Sequence, residues 1–147
     1  MATDNPSLMS HVSIGTAHYE RAVLFYDAVL ATLGARRMME HPGAAAYGKR
    51  YPEFWVQTPI DGRAACVGNG THIGFLAENR EQVDAFYAAA LSAGAIGEGV
   101  PGPRPHYGEP YYGCFVRDID GHKIEAAFWD ESIAPPAVRP KRPYWNV

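Results

Sequence analysis

The chain has 147 residues and only two cysteines, Cys66 and Cys114, 48 positions apart. That excludes a disulfide-stapled scaffold, and the pair lacks the close spacing of a Cys-based metal site. Long apolar runs are missing as well, so no segment reads as a membrane span. Basic charge is scarce: thirteen Lys and Arg stand against sixteen Asp and Glu, for a net charge of −3. Nothing resembles the electrostatic footprint of a nucleic-acid binder. The one basic cluster, Arg139, Lys141 and Arg142, reads as a solvated tail. Met1 to Pro6 lack the basic and apolar regions of a signal peptide. These absences point to a reduced, cytoplasmic protein.

What is present is an internal repeat. His11-Val12-Ser13-Ile14 opens the first half and His72-Ile73-Gly74-Phe75 opens the second, at an offset of 61 residues. The same offset matches Glu20 to Glu81, Phe25-Tyr26 to Phe86-Tyr87, Ala28 to Ala89 and Leu30 to Leu91. Over positions 11 to 33 that gives six identities, where ordinary composition yields roughly one or two. A repeat of this period fixes the architecture before any local reading.

Each copy reads as β-α-β-β-β. In the first, Leu8 to Gly15 is a strand and Ala17 to Leu33 carries apolar residues at helical spacing, ended by Gly34. Three strands follow, Arg36 to Glu40, Ala44 to Gly48 and Phe54 to Thr58, separated by turn residues. In the second, His72 to Ala77 is a strand and Asn79 caps a helix, with Gln82 as its capping-box partner. That helix runs to Ala93 and is stopped by Gly94. Ile96 to Val100 is a short strand. Pro101 to Pro110 holds four prolines and reads as a stiffened loop. Tyr111 to Arg117 and Lys123 to Trp129 are strands joined by Asp118-Ile119-Asp120-Gly121, a hairpin signal. The fold class is therefore α+β, with two tandem βαβββ modules, about 8–60 and 70–130, in a single domain spanning 1–147. A Pro-rich tail, 131–147, is expected to wrap the surface, with Tyr144 and Trp145 as docking residues.

The repeat equates two histidines, His11 and His72, each opening the first strand of its copy. Glu125 lies on the last strand, followed by apolar residues up to Trp129. A carboxylate facing inward there is costly unless paired or coordinated. Two neutral imidazoles and one carboxylate form a donor set suited to Fe, Mn, Ni or Zn, with positions left open for water or substrate.

On these residues the chain resembles the vicinal oxygen chelate superfamily, the glyoxalase/bleomycin-resistance/extradiol-dioxygenase fold. The resemblance is carried by His11-Val12-Ser13-Ile14, Glu20-Arg21-Ala22-Val23-Leu24-Phe25-Tyr26, Thr71-His72-Ile73-Gly74-Phe75 and Asp118-Ile119-Asp120-Gly121-His122-Lys123-Ile124-Glu125. It implies paired modules forming an open, cup-shaped mixed sheet around one divalent metal held by His11, His72 and Glu125. It also implies a homodimer with sites at or near the interface. Glyoxalase I enzymes usually add a fourth ligand from the last strand of the first module. Aligned with Glu125, that position falls on Trp55, which cannot ligate, and Gln57 follows on the same face. This departure sets the chain apart from lactoylglutathione lyases.

Trp55, Gln57, Arg104 and Tyr111 are the expected substrate-binding residues. Glu125, His106 and Tyr107 are the expected acid–base groups. Phe25-Tyr26 and Phe86-Tyr87 are assigned to packing against the sheets. His18, His41 and above all His122 are expected to face solvent. Two functions follow: a metal-dependent lyase, isomerase or dioxygenase acting on a small oxygenated metabolite, or a metal-free protein that binds a small molecule or antibiotic between aromatic walls.

Overall fold

A computed structural model describes residues 8–133; the tail from 134 on, with Tyr144 and Trp145, and residues 1–7 lie outside them. The first module is β1 (Val12–Gly15), α1 (Tyr19–Ala31), β2 (Arg36–His41), β3 (Ala44–Gly48) and β4 (Phe54–Gln57). The second is β5 (His72–Leu76), α2 (Arg80–Ser92), β6 (Ile96–Pro103), β7 (Tyr111–Arg117) and β8 (Lys123–Trp129). The repeat is thus structural, and each module builds its own four-stranded mixed sheet, in the orders β1-β4-β3-β2 and β5-β8-β7-β6. β1 runs parallel to β4 and β5 to β8, while the other pairs are antiparallel.

Local sequence explains both helices. α1 buries Ala22, Val23, Phe25, Tyr26, Val29 and Leu30 along one stripe. It ends where Ala35 N–H donates to the Leu30 carbonyl, with Gly34 at φ +78°, a left-handed turn that glycine adopts without penalty. α2 starts at Asn79, whose Oδ1 accepts the Gln82 N–H at 2.8 Å. Gln82 Oε1 accepts the N–H of Glu78, one residue ahead of the cap. Each helix packs on its own sheet. The modules meet through α1 against α2 and through a ladder of rings, Phe54 to Phe75 at 5.0 Å and Phe75 to Phe86 at 6.2 Å.

Three expectations are corrected. The first strand begins at Val12, and Leu8 and Met9 are exposed instead. The run Pro101 to Pro103 is strand, not loop. β6 is the sheet's edge, where a proline loses no ladder bond, and its register slips at Gly97/Gly99 and Gly99/Gly102. Only Pro105–Tyr107 form a separate 3-10 turn. His122, expected in solvent, is buried, and its Nε2–H donates to the Gly15 carbonyl at 2.6 Å.

That last contact belongs to a polar clamp between the modules. The β7–β8 hairpin reaches the β1–α1 junction: Thr16 Oγ1–H donates to Asp120 Oδ2 at 2.6 Å, and Ala17 N–H to Asp120 Oδ1 at 2.9 Å. Tyr26 O–H donates to Asp118 Oδ2 at 2.5 Å. The hairpin's Asp-Gly turn therefore fixes one module on the other as well as reversing the chain.

Candidate functional site

Strand geometry sorts the second sheet into two faces. Ile73, Phe75, Cys114, Val116, Ile124 and Ala126 turn towards α2 and the core. His72, Gly74, Tyr111, Phe115, Lys123 and Glu125 occupy the other face. Parallel pairing sets Gly74 beside Glu125 and His72 beside Lys123. A side chain at Gly74 would meet Glu125 Oε2 at 3.3 Å, so the glycine gives the carboxylate room.

The structure brings His72 and Glu125 together, with Nε2 3.0 Å from Oε2. Glu125 is 9% exposed, and its other oxygen accepts the Tyr111 O–H at 2.5 Å. Burial and the adjoining Glu125 carboxylate raise the Tyr111 phenol well above its ordinary range, so it stays a donor at neutral pH. Tyr111, expected to touch substrate, is thus committed to orienting Glu125. It stacks edge-on between Tyr107 at 5.0 Å and Trp129 at 5.1 Å. His106 lies against Tyr107 at 4.2 Å in the exposed 3-10 turn. Arg104 donates to the carbonyls of Val100 and Pro103 and sits 5.9 Å from the Phe115 ring.

The remaining sequence-predicted residues lie in the first module. Trp55 pairs with Ser13 and Gln57 with Gly15. Trp55 stacks on His41 at 6.2 Å, and Gln57 lines a cavity of about 290 Å³ with Ser13, Asp61 and Cys66. His11 is exposed just ahead of β1, its Nδ1 2.9 Å from Ser10 Oγ. The registers make the repeat explicit: Ser13 beside Trp55 corresponds to Gly74 beside Glu125, with Ser13 and Gly74 related by the repeat's offset. Trp55 therefore stands in the first module where Glu125 stands in the second. Among the described residues no three His, Cys, Asp or Glu side chains are grouped to hold one ion.

The His72–Glu125 pair suits a divalent metal as far as it goes. With metal–ligand bonds of about 2.1 Å, neighbouring ligands of an octahedral ion stand about 3.0 Å apart. The imidazole's exposed edge leaves the outer positions open, and Tyr111 supplies the hydrogen bond that orients a ligating carboxylate.

Sequence reasoning missed a charged cluster beside this pair. Arg117 Nε forms an ion pair with Glu98 Oε1 at 2.8 Å, and Lys123 Nζ lies 3.7 Å from Glu98 Oε2. Arg117 holds the Glu98 carboxyl below its usual range. The available signal was parity: Lys123 and Glu125 are two apart on one strand and share a face.

The chain matches the model of the Glyoxalase/Bleomycin resistance protein/Dioxygenase superfamily over residues 8–126, and it belongs to that family. A crystal structure of a glyoxalase/bleomycin resistance protein from Albidiferax ferrireducens T118 is 38% identical, covering 82% of this chain and 98% of its own, with a TM-score of 0.76. Lactoylglutathione lyase from Agrobacterium tumefaciens shares the fold at a TM-score of 0.60 and 17% identity, over 85% of this chain and 95% of its own. No curated protein matches the chain.

Proposed function

We propose that the protein is a divalent-metal-dependent, glyoxalase-like or dioxygenase-like enzyme acting on a small oxygenated metabolite. Its ion, Fe, Mn, Ni or Zn, would be held by His72 and Glu125 of one chain and His11 of a second copy. The observation that carries this reading is the buried Glu125 carboxylate, held by Tyr111 with one oxygen 3.0 Å from the exposed His72 ring. His11 is the repeat counterpart of His72 but has Trp55 where a carboxylate would be needed. A twofold pairing of chains can carry it to the other module's half-site, giving two equal sites per homodimer.

When bound, the metal supplies a Lewis acid for two neighbouring substrate oxygens. The protein groups do the rest. Tyr111 keeps Glu125 in one orientation; Oε2 faces the ion and would exchange a proton with substrate only on leaving it. His106 and Tyr107, stacked outside Tyr111, would serve as further acid–base groups. Trp55 and Gln57 would contact substrate from the first module's sheet. No helix among the described residues is long and apolar enough to cross a membrane, and two free thiols suit the reducing cytoplasm.

One observation favours a second reading. Both Glu125 oxygens already have protein partners, so the pair is satisfied without a metal, as in a metal-free small-molecule or antibiotic-binding protein. Elemental analysis of untagged protein decides between them. About one Fe, Mn, Ni or Zn per chain, lost in His72→Ala, Glu125→Ala and His11→Ala, supports the enzyme. Absence of metal after purification and after reconstitution overturns it in favour of the binding protein.

A further inference from the structure

Beside His72 a recess of about 500 Å³ opens between Arg117, Lys123 and the turn from Val67 to Thr71. Its size is that of a small-molecule site. The turn is kept bare by its glycines. A side chain at Gly68 would strike Thr71 Oγ1 at 2.6 Å, and Gly70 has φ +88°. Two cations, Arg117 and Lys123, line the recess, and the Glu98 carboxylate pairs with both. Arg117 spends Nε on Glu98 and one terminal nitrogen, at 3.2 Å, on the Gly121 carbonyl. Its other terminal nitrogen has no partner among the described residues. Lys123 Nζ is held only loosely, 3.7 Å from Glu98 and 5.0 Å from the face of the Phe115 ring. Arg117, Lys123 and Glu98 together carry one net positive charge, at side chains about one-third exposed. Asn69 and Thr71 add neutral hydrogen-bonding groups on the opposite rim.

The geometry points to this recess as the binding site for the anionic group of a small molecule, a carboxylate or a phosphate, gripped by Arg117 and Lys123. Arg117 offers planar donors and Lys123 a point charge, a pairing that takes either group. The site adjoins His72, so its anion is the tail of a molecule whose oxygens reach the metal half-site. This role rests on the metal-enzyme reading, whereas the existence of the anion site does not. Glu98 acts as an internal counterion: it holds the two cations apart and sets how tightly an incoming anion is taken.

The test is a titration of metal-stripped, desalted full-length protein with inorganic phosphate and, separately, succinate, followed by amide NMR shifts. Saturable shifts at Gly68 to Thr71 and at Lys123 are expected. Arg117→Gln and Lys123→Gln should each weaken binding about tenfold, the effect of one lost charge-assisted hydrogen bond. Glu98→Gln should tighten it, an opposite sign that a misfolded variant does not produce. The two probes separate a carboxylate site from a phosphate site. No saturable shift with either probe, in wild type or in Glu98→Gln, overturns the inference, as does unchanged affinity in Lys123→Gln. Metal content of the same variants is measured in parallel. Anion binding with no metal uptake by the wild type would sink the enzyme reading alone, and metal uptake without anion binding would sink the anion site alone.

Discussion

Replacing Tyr26 by Phe tests the clamp that joins the modules. Tyr26 is fully buried, and its ring packs edge-on against Phe25 at 4.9 Å and Phe54 at 5.0 Å. Phenylalanine preserves those contacts and opens no large cavity. What is lost is the hydroxyl donating to Asp118 Oδ2 at 2.5 Å. Asp118 is 4% exposed and keeps only two backbone donors, the N–H groups of Asp120 and His122, both on Oδ1 at 2.9 Å. A hydrogen bond to a buried charged group contributes about 1.5–3 kcal/mol. At about 2–4 °C per kcal/mol for a domain of this size, Tm should fall by about 3–12 °C. Tyr87→Phe is the internal control: it is the repeat counterpart, half-buried, and its phenol has no hydrogen-bond partner among the described residues. Its cost should stay within about 0.5 kcal/mol.

The same residue carries a pH signature. Burial, then the Asp118 charge, raises the Tyr26 phenol well above its ordinary range, and burial likewise raises Tyr47 and Tyr111. In the unfolded chain these groups ionise near pH 10, as free tyrosines do. Above that pH the unfolded state binds fewer protons than the native state. Stability is therefore whole below about pH 10 and falls as pH rises towards the elevated native values. Tyr26→Phe removes one of these contributions and should flatten that alkaline fall. Urea denaturation of wild type and both variants between pH 7 and 11 measures both effects. Equal stabilities for Tyr26→Phe and Tyr87→Phe at pH 7 would refute the clamp.

Two other outcomes follow from named contacts. Tyr111→Phe should leave one metal per chain at saturation but weaken metal affinity about 10- to 100-fold, as losses of ligand-orienting hydrogen bonds do; an unchanged dissociation constant would detach Tyr111 from the site. Burial pushes the Cys114 thiol up to about 11, while Cys66 is exposed. Iodoacetamide at pH 8 should modify Cys66 alone in the native protein and both thiols after unfolding, and mass spectrometry of rapid native double labelling would contradict this.

The elements with strong periodicity or punctuation were legible in the sequence. The stripe from Ala22 to Leu33, Asn79 with Gln82, and Gly34 and Gly94 all report local physics that tertiary context did not override. The β6 extension was illegible because proline's penalty depends on whether its strand lies at an edge, which only the sheet order decides. His122 was misread for a related reason. A polar residue two after Asp120 in a hairpin normally faces water, and its burial depends on the Gly15 carbonyl 107 positions away. The meeting of His72 with Glu125 depends on the parallel β5–β8 register, while the repeat had marked the first strand and the hairpin signal the second. Arg117 and Lys123 were visible as residues, but their shared recess exists only once the Gly68–Thr71 turn folds beside them.

The repeat also shows where the two modules part chemically. Their registers superpose Ser13 and Trp55 on Gly74 and Glu125. In the second module the small residue makes room for a carboxylate, and Tyr111 holds that carboxylate in place. In the first, the equivalent strand position is filled by an indole stacked on His41. His11 has an indole where His72 has Glu125, and no carboxylate pairs with it among the described residues, so its chemistry waits on another module's Glu125 coming within reach. The described residues of one chain do not bring it there. Metal binding and chain association should therefore be linked: a histidine ligand supplied in trans makes metal affinity depend on protein concentration. Sedimentation with and without metal tests this directly. A wild-type monomer that takes up one ion per chain at full affinity would assign the third position to water or to a ligand within the chain, and would leave His11 outside the site.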